Sequence, residues 1–293
     1  MIDLHTHSSA SDGMMAPAEA AQYAIDRKLD VWALTDHDTV DGLYDAAKVC
    51  SQNEIIFVPG IEITIAWPTG EFHLLGHGLR CLSPELRDVI KYLTEERHER
   101  NQQIVNKMNE DGIEVTLSEI ESMFGESQIG RPHFASFLLK IGKVKSRQEA
   151  FDRYLGSNRP WYIRHNGEDL DTAVEAIKKS GGIPVLAHPM SLYLSWGKIE
   201  DVIKSVRDRG VMGLEAWHPA VRVSEAMRLE ELARKLDMFV TAGSDFHGRG
   251  MRADRHLART CGDKKIENRF YFEELLPHLG DFDYRQTDWM KSD

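Results

Sequence analysis

Two stretches of this sequence alternate short apolar segments with longer amphipathic ones, and this alternation restricts the fold more than any other feature. The first stretch covers residues 2–66 and the second covers residues 170–242. The short segments are typical of strands, and the longer ones have the periodicity of helices of about ten to fifteen residues. Strands joined through helices pair in parallel with right-handed crossovers. The sequence therefore predicts an α/β fold, either a barrel or a doubly wound sheet.

The predicted elements follow from hydrophobic period and from flanking turn residues. Strands are predicted at 2–7, 31–35, 55–66, 183–187, 213–216 and 238–242, and a further apolar stretch lies at 71–76. Helices are predicted to begin near Pro17 and after Thr39, and to cover 170–182, 198–209 and 223–236.

The segment between the two stretches has a helical pattern without convincing strands. A long charged helix is predicted from residue 83 to Gly112, with shorter helical pieces at 117–124, 132–142 and 146–155. We therefore expect one α/β domain formed by 1–95 and 166–293, with a small inserted helical subdomain at 96–165. The polar stretch from about residue 281 is expected to be a loosely held tail.

Composition excludes several classes of protein. Hydrophobic residues make up 42% and charged residues 28%, and no apolar run reaches the length of a membrane helix. The N-terminus lacks the pattern of a signal peptide, so we expect a cytoplasmic protein with no membrane contact and no stable protein partner. Cys50, Cys81 and Cys261 are odd in number and widely spaced, which indicates plain thiols. The net charge of -11 argues against broad attraction to nucleic acid, although bound cations could still attract a phosphorylated substrate.

Histidines and carboxylates recur just after the predicted strands or within them. Alternation along a strand places His5 and His7 on one face. The candidate ligands are His5, His7, Asp12, His37, Glu62, His73, His188, Asp245 and His247. Each alone has an ordinary explanation, such as a helix N-cap for the TDHD acids or a solvated loop for AHP and SDFH. Because strand ends converge in α/β folds, their recurrence predicts a site for divalent metal ions, with imidazole and carboxylate donors that suit Mn, Fe or Zn.

In this order, the motifs HTHSSASDG, LTDHDTVDG, PGIEIT, FHLLG, VLAHP and GSDFH resemble those of the PHP superfamily of metal-dependent phosphoesterases, named for polymerase and histidinol phosphatase. The resemblance implies a distorted (β/α)7 barrel with a trinuclear site and a metal-bridging hydroxide as the nucleophile. It implies three ligand sets: His5, His7, Glu62 and Asp245; Asp12, His37 and His247; and Glu62 as a bridge with His73 and His188.

The segments ERHERNQQIVNKMN, GRPHFASFLLKIG and FDRYLGSNRPWYI resemble a PHP subgroup with a small helical insert. That subgroup removes the 3'-phosphate from nucleoside 3',5'-bisphosphates, converting pAp to AMP, and in some bacteria trims short RNA from the 5' end. The resemblance implies that Arg131 and His133, with Arg100 and Tyr162, contact a substrate phosphate, and that Arg131 and His133 serve catalysis. Arg131 could instead simply begin a helix before Pro132. His165 receives no role.

Two further points bear on the expected site. Glu215 is expected to orient metal ligands from behind, and His218 to lie outside the ligand set or at the surface. The segment MSLYLSWG after AHP departs from the subgroup pattern, which leaves substrate contacts from that loop open. Two alternatives to the nucleotide phosphatase remain at this point: a histidinol-phosphate phosphatase and a non-catalytic, metal-stabilised binding module.

Overall fold

A seven-stranded sheet forms the centre of the molecule, in a computed structural model that describes residues 1–125, 128–249 and 255–291. Its strands are adjacent in chain order, from β1 to β7. They are β1 Ile2–Asp3, β2 Val31–Leu34, β3 Ile56–Ile65, β4 Phe72–His77, β5 Ile183–Leu186, β6 Gly213–Trp217 and β7 Phe239–Ala242. A separate two-stranded hairpin consists of β8 Arg259–Thr260 and β9 Lys264–Lys265.

The first and last strands approach each other, so the sheet is nearly closed. Beyond the ends of β1 and β7, Thr6 and Phe246 form a parallel bridge. The backbone N–H of His7 donates to the carbonyl of Phe246 at 2.9 Å, and that of Asp245 donates to the carbonyl of His5 at 2.9 Å. These contacts confirm the predicted barrel and bring the segments after β1 and β7 side by side.

The expectation of parallel pairing throughout is wrong for β4, which runs antiparallel to both β3 and β5. Residues 66–71 alone connect β3 to β4. A parallel crossover needs about a dozen residues or more, so this short link permits only an antiparallel turn. The first residues of β4 consequently lie at the same edge of the sheet as the last residues of β2, β5 and β7.

Helices cover the outside of the barrel through their apolar faces. The barrel helices are α1 Pro17–Asp26, α2 Leu43–Ser51, α7 Leu170–Lys179, α8 Ile199–Asp208, α9 Val223–Lys235 and the short α10 Leu276–Leu279. In α7 the buried residues Leu170, Ala173, Val174 and Ile177 recur at helical spacing and join the main hydrophobic core.

A second hydrophobic core lies outside the barrel. The helices between the two halves of the barrel are α3 Pro84–Glu110, α4 Leu117–Phe124, α5 Arg131–Lys140 and α6 Arg147–Ala150. Leu86 and Leu93 in the first half of α3 belong to the main core, whereas Ile104 and Met108 in its second half belong to the second core. One long helix thus connects the two cores. The domain boundaries at 96 and 165 stay a prediction.

The expectation of a loosely held C-terminal tail is wrong. The indole N–H of Trp289 donates to the carbonyl of Leu79 at 2.7 Å, and both Trp289 and Tyr284 are buried. Aromatic burial outweighs the polarity of the segment because each ring removes a large apolar area from water. None of the described helices is long and apolar enough to span a bilayer.

Candidate metal centre and substrate cavity

The strand ends bring all nine candidate ligands together at one edge of the barrel. Because β4 is antiparallel, His73 near its start reaches the same edge as residues that follow other strands. Within each of four overlapping groups, the ligand atoms lie within 4.8 Å of one another. The groups are His7, Asp12, His37 and His247; His5, His7 and Asp245; His5, Glu62 and His188; and His37, Glu62 and His73. We call these nine residues the ligand cluster.

The carboxylate of Glu62 lies at the centre of the ligand cluster and is fully buried on β3. Its Oε1 is 2.9 Å from both His73 Nδ1 and His188 Nε2. Its Oε2 is 3.0 Å from His37 Nδ1, 3.2 Å from His5 Nε2 and 3.3 Å from His7 Nε2. One carboxylate therefore faces five imidazoles, so its two oxygens could be shared between cations that these imidazoles would also bind.

The side chains of the ligand cluster are better arranged to bind divalent cations than to form hydrogen bonds with one another. Among the described residues, four of its buried atoms form no hydrogen bond of good geometry: His7 Nδ1, Asp12 Oδ1, Glu62 Oε2 and His247 Nε2. Three of them nevertheless lie close to other ligand atoms, with Asp12 Oδ1 3.1 Å from His247 Nε2 and Glu62 Oε2 within 3.3 Å of three imidazole nitrogens. Buried polar atoms are nearly always satisfied, so such a concentration indicates ligand atoms for cations. Imidazole and carboxylate donors without thiolates fit Mn, Fe or Zn.

Electrostatics keeps the carboxylates of the cluster in the ligating, ionised form. Burial raises the pKa of Glu62, but His37, His5 and His73 lower it by more, so the pKa lies well below its usual range. The pKa of Asp245 is also held well below the usual range, because the opposing histidines outweigh the effect of burial. An acid that is already ionised binds a cation without first losing a proton.

Hydrogen bonds that the sequence analysis missed fix the loops of the cluster. The carboxylate of Asp36 accepts from the Ser8 backbone N–H at 2.8 Å, from Ser8 Oγ at 2.6 Å and from Ser11 Oγ at 2.5 Å. These bonds hold the loop that carries Asp12. The serines of HTHSSASDG and the first acid of TDHD were visible in the sequence, but nothing local showed that they pair across 25 to 28 positions.

Three residues beside the same strand ends have a strained backbone conformation. Asp38, His188 and Asp245 have positive φ values of 54°, 24° and 53°. Residues other than glycine rarely adopt this region, and they persist there only where the surroundings hold them. Asp38 is held by the Thr64 backbone N–H at 2.8 Å and Thr64 Oγ1 at 3.0 Å.

Glu215 lies directly behind the ligand cluster, and His218 lies beside it and lines the adjacent cavity. Glu215 Oε1 is 3.0 Å from His5 Nδ1, and Oε2 accepts from the His188 backbone N–H at 2.9 Å. This is the position of a group that orients two ligands. His218 is buried, with Nε2 3.4 Å from Asp245 Oδ2, so a surface location for it is wrong.

A cavity of about 590 Å³ lies between the ligand cluster and the helical segment. Five residues on its far side define what we call the arginine wall: Arg97, Arg100, Arg131, Tyr162 and His165. Arg131 forms an ion pair with Glu71 and lies over the ring of Tyr162 at 5.3 Å. Arg100 is buried, and its guanidinium donates to Asn101 Oδ1 at 3.1 Å. Arg97, which the sequence analysis did not select, forms a buried ion pair with Asp38.

His133 is buried beside this wall, with its ring against Phe124 at 4.9 Å. Its Nδ1 accepts from the Gly130 backbone N–H at 3.0 Å, so the proton of the neutral ring is on Nε2. Burial lowers the pKa of His133, and the acid Asp12 opposes this shift only in part. The ring of His133 is thus a neutral N–H donor; the cavity is lined by its neighbours Gly130, Arg131 and Pro132, and His133 is not among the lining residues.

Known proteins with similar sequences include a phosphatase and a nuclease. The family model for the PHP domain matches residues 3–157. The chain is 32% identical to a 3',5'-nucleoside bisphosphate phosphatase of Chromobacterium violaceum over 85% of this chain and 88% of that protein. It is 29% identical to a 5'-3' exoribonuclease of Haemophilus influenzae over 84% of this chain and 89% of that protein.

Solved structures share the whole fold. A structure from C. violaceum, described as an amidohydrolase with bound sulfate and no metal, aligns with a TM-score of 0.84 and 28% identity over 95% of both chains. A structure from Bifidobacterium adolescentis, assigned as a metal-dependent phosphoesterase, aligns with a TM-score of 0.82 and 25% identity over 94% of this chain and 95% of that one. The family match, the identity to these relatives and the ligand cluster agree: the chain belongs to the PHP domain family and is a metal-dependent phosphoester hydrolase.

Proposed function

We propose that this enzyme hydrolyses a phosphomonoester of a nucleotide, and that its main substrate is the 3'-phosphate of a nucleoside 3',5'-bisphosphate. The observation that carries the proposal is the construction of the cavity, in which the ligand cluster faces three arginines across one space. A cavity of this size accommodates a mononucleotide. The bisphosphate phosphatase relative, which is similar over most of both chains, supports this substrate.

The ligand cluster would hold two or three cations of the Mn, Fe or Zn type. His5, His7, Glu62 and Asp245 would bind one cation, and Asp12, His37 and His247 a second. A third would lie between Glu62, His73 and His188, whose nitrogens already flank Glu62 Oε1 at 2.9 Å. When bound, divalent cations supply Lewis acidity, which lowers the pKa of water and stabilises charge on phosphoryl oxygens.

The arginine wall would bind and orient the phosphates of the substrate. Partial desolvation raises the pKa of Glu71, but Arg131 lowers it to about 2, so Glu71 stays ionised and holds the guanidinium in place. A guanidinium has five N–H donors, which leaves Arg131 free donors for phosphate oxygens. His133 would add its neutral Nε2–H as a further donor near the reacting group. In this proposal residues 96–165 act as a cap over the substrate.

The exoribonuclease relative supports a second substrate, the 5' end of short RNA, which would present the same phosphate and sugar groups. A histidinol-phosphate phosphatase would need fewer arginines at its substrate site, because its substrate carries one phosphate and a nucleoside bisphosphate carries two. A purely structural role for the cations does not agree with membership of a hydrolase family.

The test is phosphate release by the Mn-loaded protein from adenosine 3',5'-bisphosphate, beside histidinol phosphate and a short 5'-phosphorylated RNA. His7→Ala is the control for activity that depends on the ligand cluster. We expect the bisphosphate to have the highest kcat/KM and His7→Ala to abolish its turnover. A higher kcat/KM for histidinol phosphate would contradict the proposed substrate.

A further inference from the structure

The arginine wall contains buried hydrogen-bond donors that have no acceptor among the described residues. These atoms are Nε of Arg97, Nε of Arg100 and Nε2 of His165. All three side chains line the cavity, and both arginine residues are more than nine-tenths buried. Leaving buried donors without acceptors is unfavourable, so several of them at one cavity wall indicate a site for a ligand that accepts hydrogen bonds.

The hydrogen-bonding role of His165 is fixed by its backbone neighbour. Its Nδ1 accepts from the Gly167 backbone N–H at 3.1 Å, which places the proton of the neutral ring on Nε2. Burial lowers the pKa of His165 to about 3; Asp38 opposes this shift, and Arg97 and Arg100 add to it. His165 is therefore a neutral donor at physiological pH.

Arg100 has positive charge around it but no carboxylate paired with it in the described part of the chain. Asp38 and Glu71 act on it from nearby, but they pair with Arg97 and Arg131. Burial and the two neighbouring guanidiniums lower the pKa of Arg100 far below its usual range. A negatively charged ligand would remove this unfavourable arrangement.

We propose that His165 and Arg100 form a subsite for a second phosphate of the substrate, the phosphate that is not cleaved. This inference rests on the proposed function and deepens it. The cavity that contains these donors also contains the ligand cluster, so one nucleotide can place one phosphate at the cations and the other at this subsite. His165 is then a residue that determines specificity, because it favours bisphosphates over monophosphates.

The kinetic test compares kcat/KM for adenosine 3',5'-bisphosphate with kcat/KM for adenosine 3'-monophosphate in the Mn-loaded protein. A hydrogen bond to a charged group corresponds to about a 10- to 100-fold effect, so His165→Phe should lower this ratio by that factor. His165→Gln, which can offer an N–H at a similar position, should restore much of the ratio.

His98→Phe is the matched control, since His98 lies on α3 with its side chain 65% exposed. It should leave the ratio at the wild-type value. An unchanged ratio in His165→Phe, or an equal loss of kcat/KM on both substrates, would overturn the subsite.

A spectroscopic test separates this inference from the proposed function. In Zn-loaded protein, the His165 ring N–H signal is assigned through its loss in His165→Gln. It should shift when adenosine 5'-monophosphate is added and stay in place with adenosine. If the wild-type protein released no phosphate from the bisphosphate, the proposed function would be wrong, and this shift would still decide the subsite. Absence of the shift would overturn it.

Discussion

The two walls of the cavity are held in place in different ways. The ligand cluster belongs to the barrel, where strand ends and backbone bridges fix each side chain. The arginine wall lies on α3, on α5 and on the segment before α7, and these helices continue into the second hydrophobic core. The ligand cluster, which we call the barrel wall, is therefore suited to metal ligation in a fixed geometry, and the arginine wall is suited to contact with a substrate. Substitutions in the barrel wall should reduce metal binding, whereas substitutions in the arginine wall should reduce substrate binding.

The largest effect is expected from Glu62→Gln in the barrel wall. The substitution keeps the shape of the side chain but removes the charge that faces five imidazoles. Loss of several kcal/mol of electrostatic stabilisation should lower phosphate release by about 10³-fold or more. Elemental analysis should show reduced metal content at the same time. Glu175→Gln, at an exposed position of α7, is the control, and a fully metallated, active Glu62→Gln would contradict the role.

Arg97→Met tests the connection between the two walls. It leaves Asp38 buried without its counter-ion, so urea unfolding at pH 7 should show a loss of about 3–5 kcal/mol in the free energy of unfolding. Arg87→Met, on the exposed face of the same helix, should change this free energy by far less.

The same pair gives the sign of a pH dependence. Burial raises the pKa of Asp38, but Arg97 lowers it by more, to a net value of about 2. The stabilisation is therefore present above the unfolded pKa of about 3.9 and is lost as the pH falls toward 2. Because burial without Arg97 raises the pKa of Asp38 in the variant, the difference between wild type and Arg97→Met should narrow as the pH falls from 7 toward 2. A difference that stayed constant from pH 7 to pH 3 would show that charge pairing is not its cause.

Glu215→Gln should weaken metal binding by the barrel wall. Glu215 accepts from His5 and from the His188 backbone, so its loss should reduce metal affinity by about 10- to 100-fold. Competition with a chelator measures this affinity. An unchanged dissociation constant for the metal would leave Glu215 with a packing role only.

Arg131→Lys should have the smallest effect and should act on the arginine wall alone. Lysine keeps the charge but loses the planar fork that binds phosphate through two N–H groups. We expect KM for the bisphosphate to rise by about 10-fold, or about 1.4 kcal/mol, while metal content stays at the wild-type level. If Arg131→Lys lost metal instead, the two walls would not be separate in function.

The barrel wall could be predicted from sequence because each of its ligands lies in a recognisable local sequence pattern. Each ligand follows or lies within a short apolar strand, and strand ends converge wherever helices and strands alternate. The direction of β4 was the exception. It was decided by the small number of residues between β3 and β4, and not by the hydrophobic pattern of either strand. Tyr284 and Trp289 escaped prediction because their partners lie far away in the chain.

The arginine wall was only partly predictable, because the contacts that define it also join residues far apart in the chain. Arg131, Arg100 and Tyr162 were selected through resemblance. Arg97 and His165 were not, because a charged residue in a long charged helix and a histidine in a loop look ordinary without their neighbours. The ion pair of Arg97 with Asp38 spans 59 positions, and no local pattern encodes such a contact.

The measurement that tests the central claim most directly is anomalous diffraction from crystals of the Mn-loaded, active enzyme with adenosine 5'-monophosphate. We predict manganese peaks within the ligand cluster, with Glu62 touching more than one of them, and a phosphate against Arg100 and His165. Manganese bound elsewhere in an active enzyme, or a nucleotide that does not touch the arginine wall, would contradict the account.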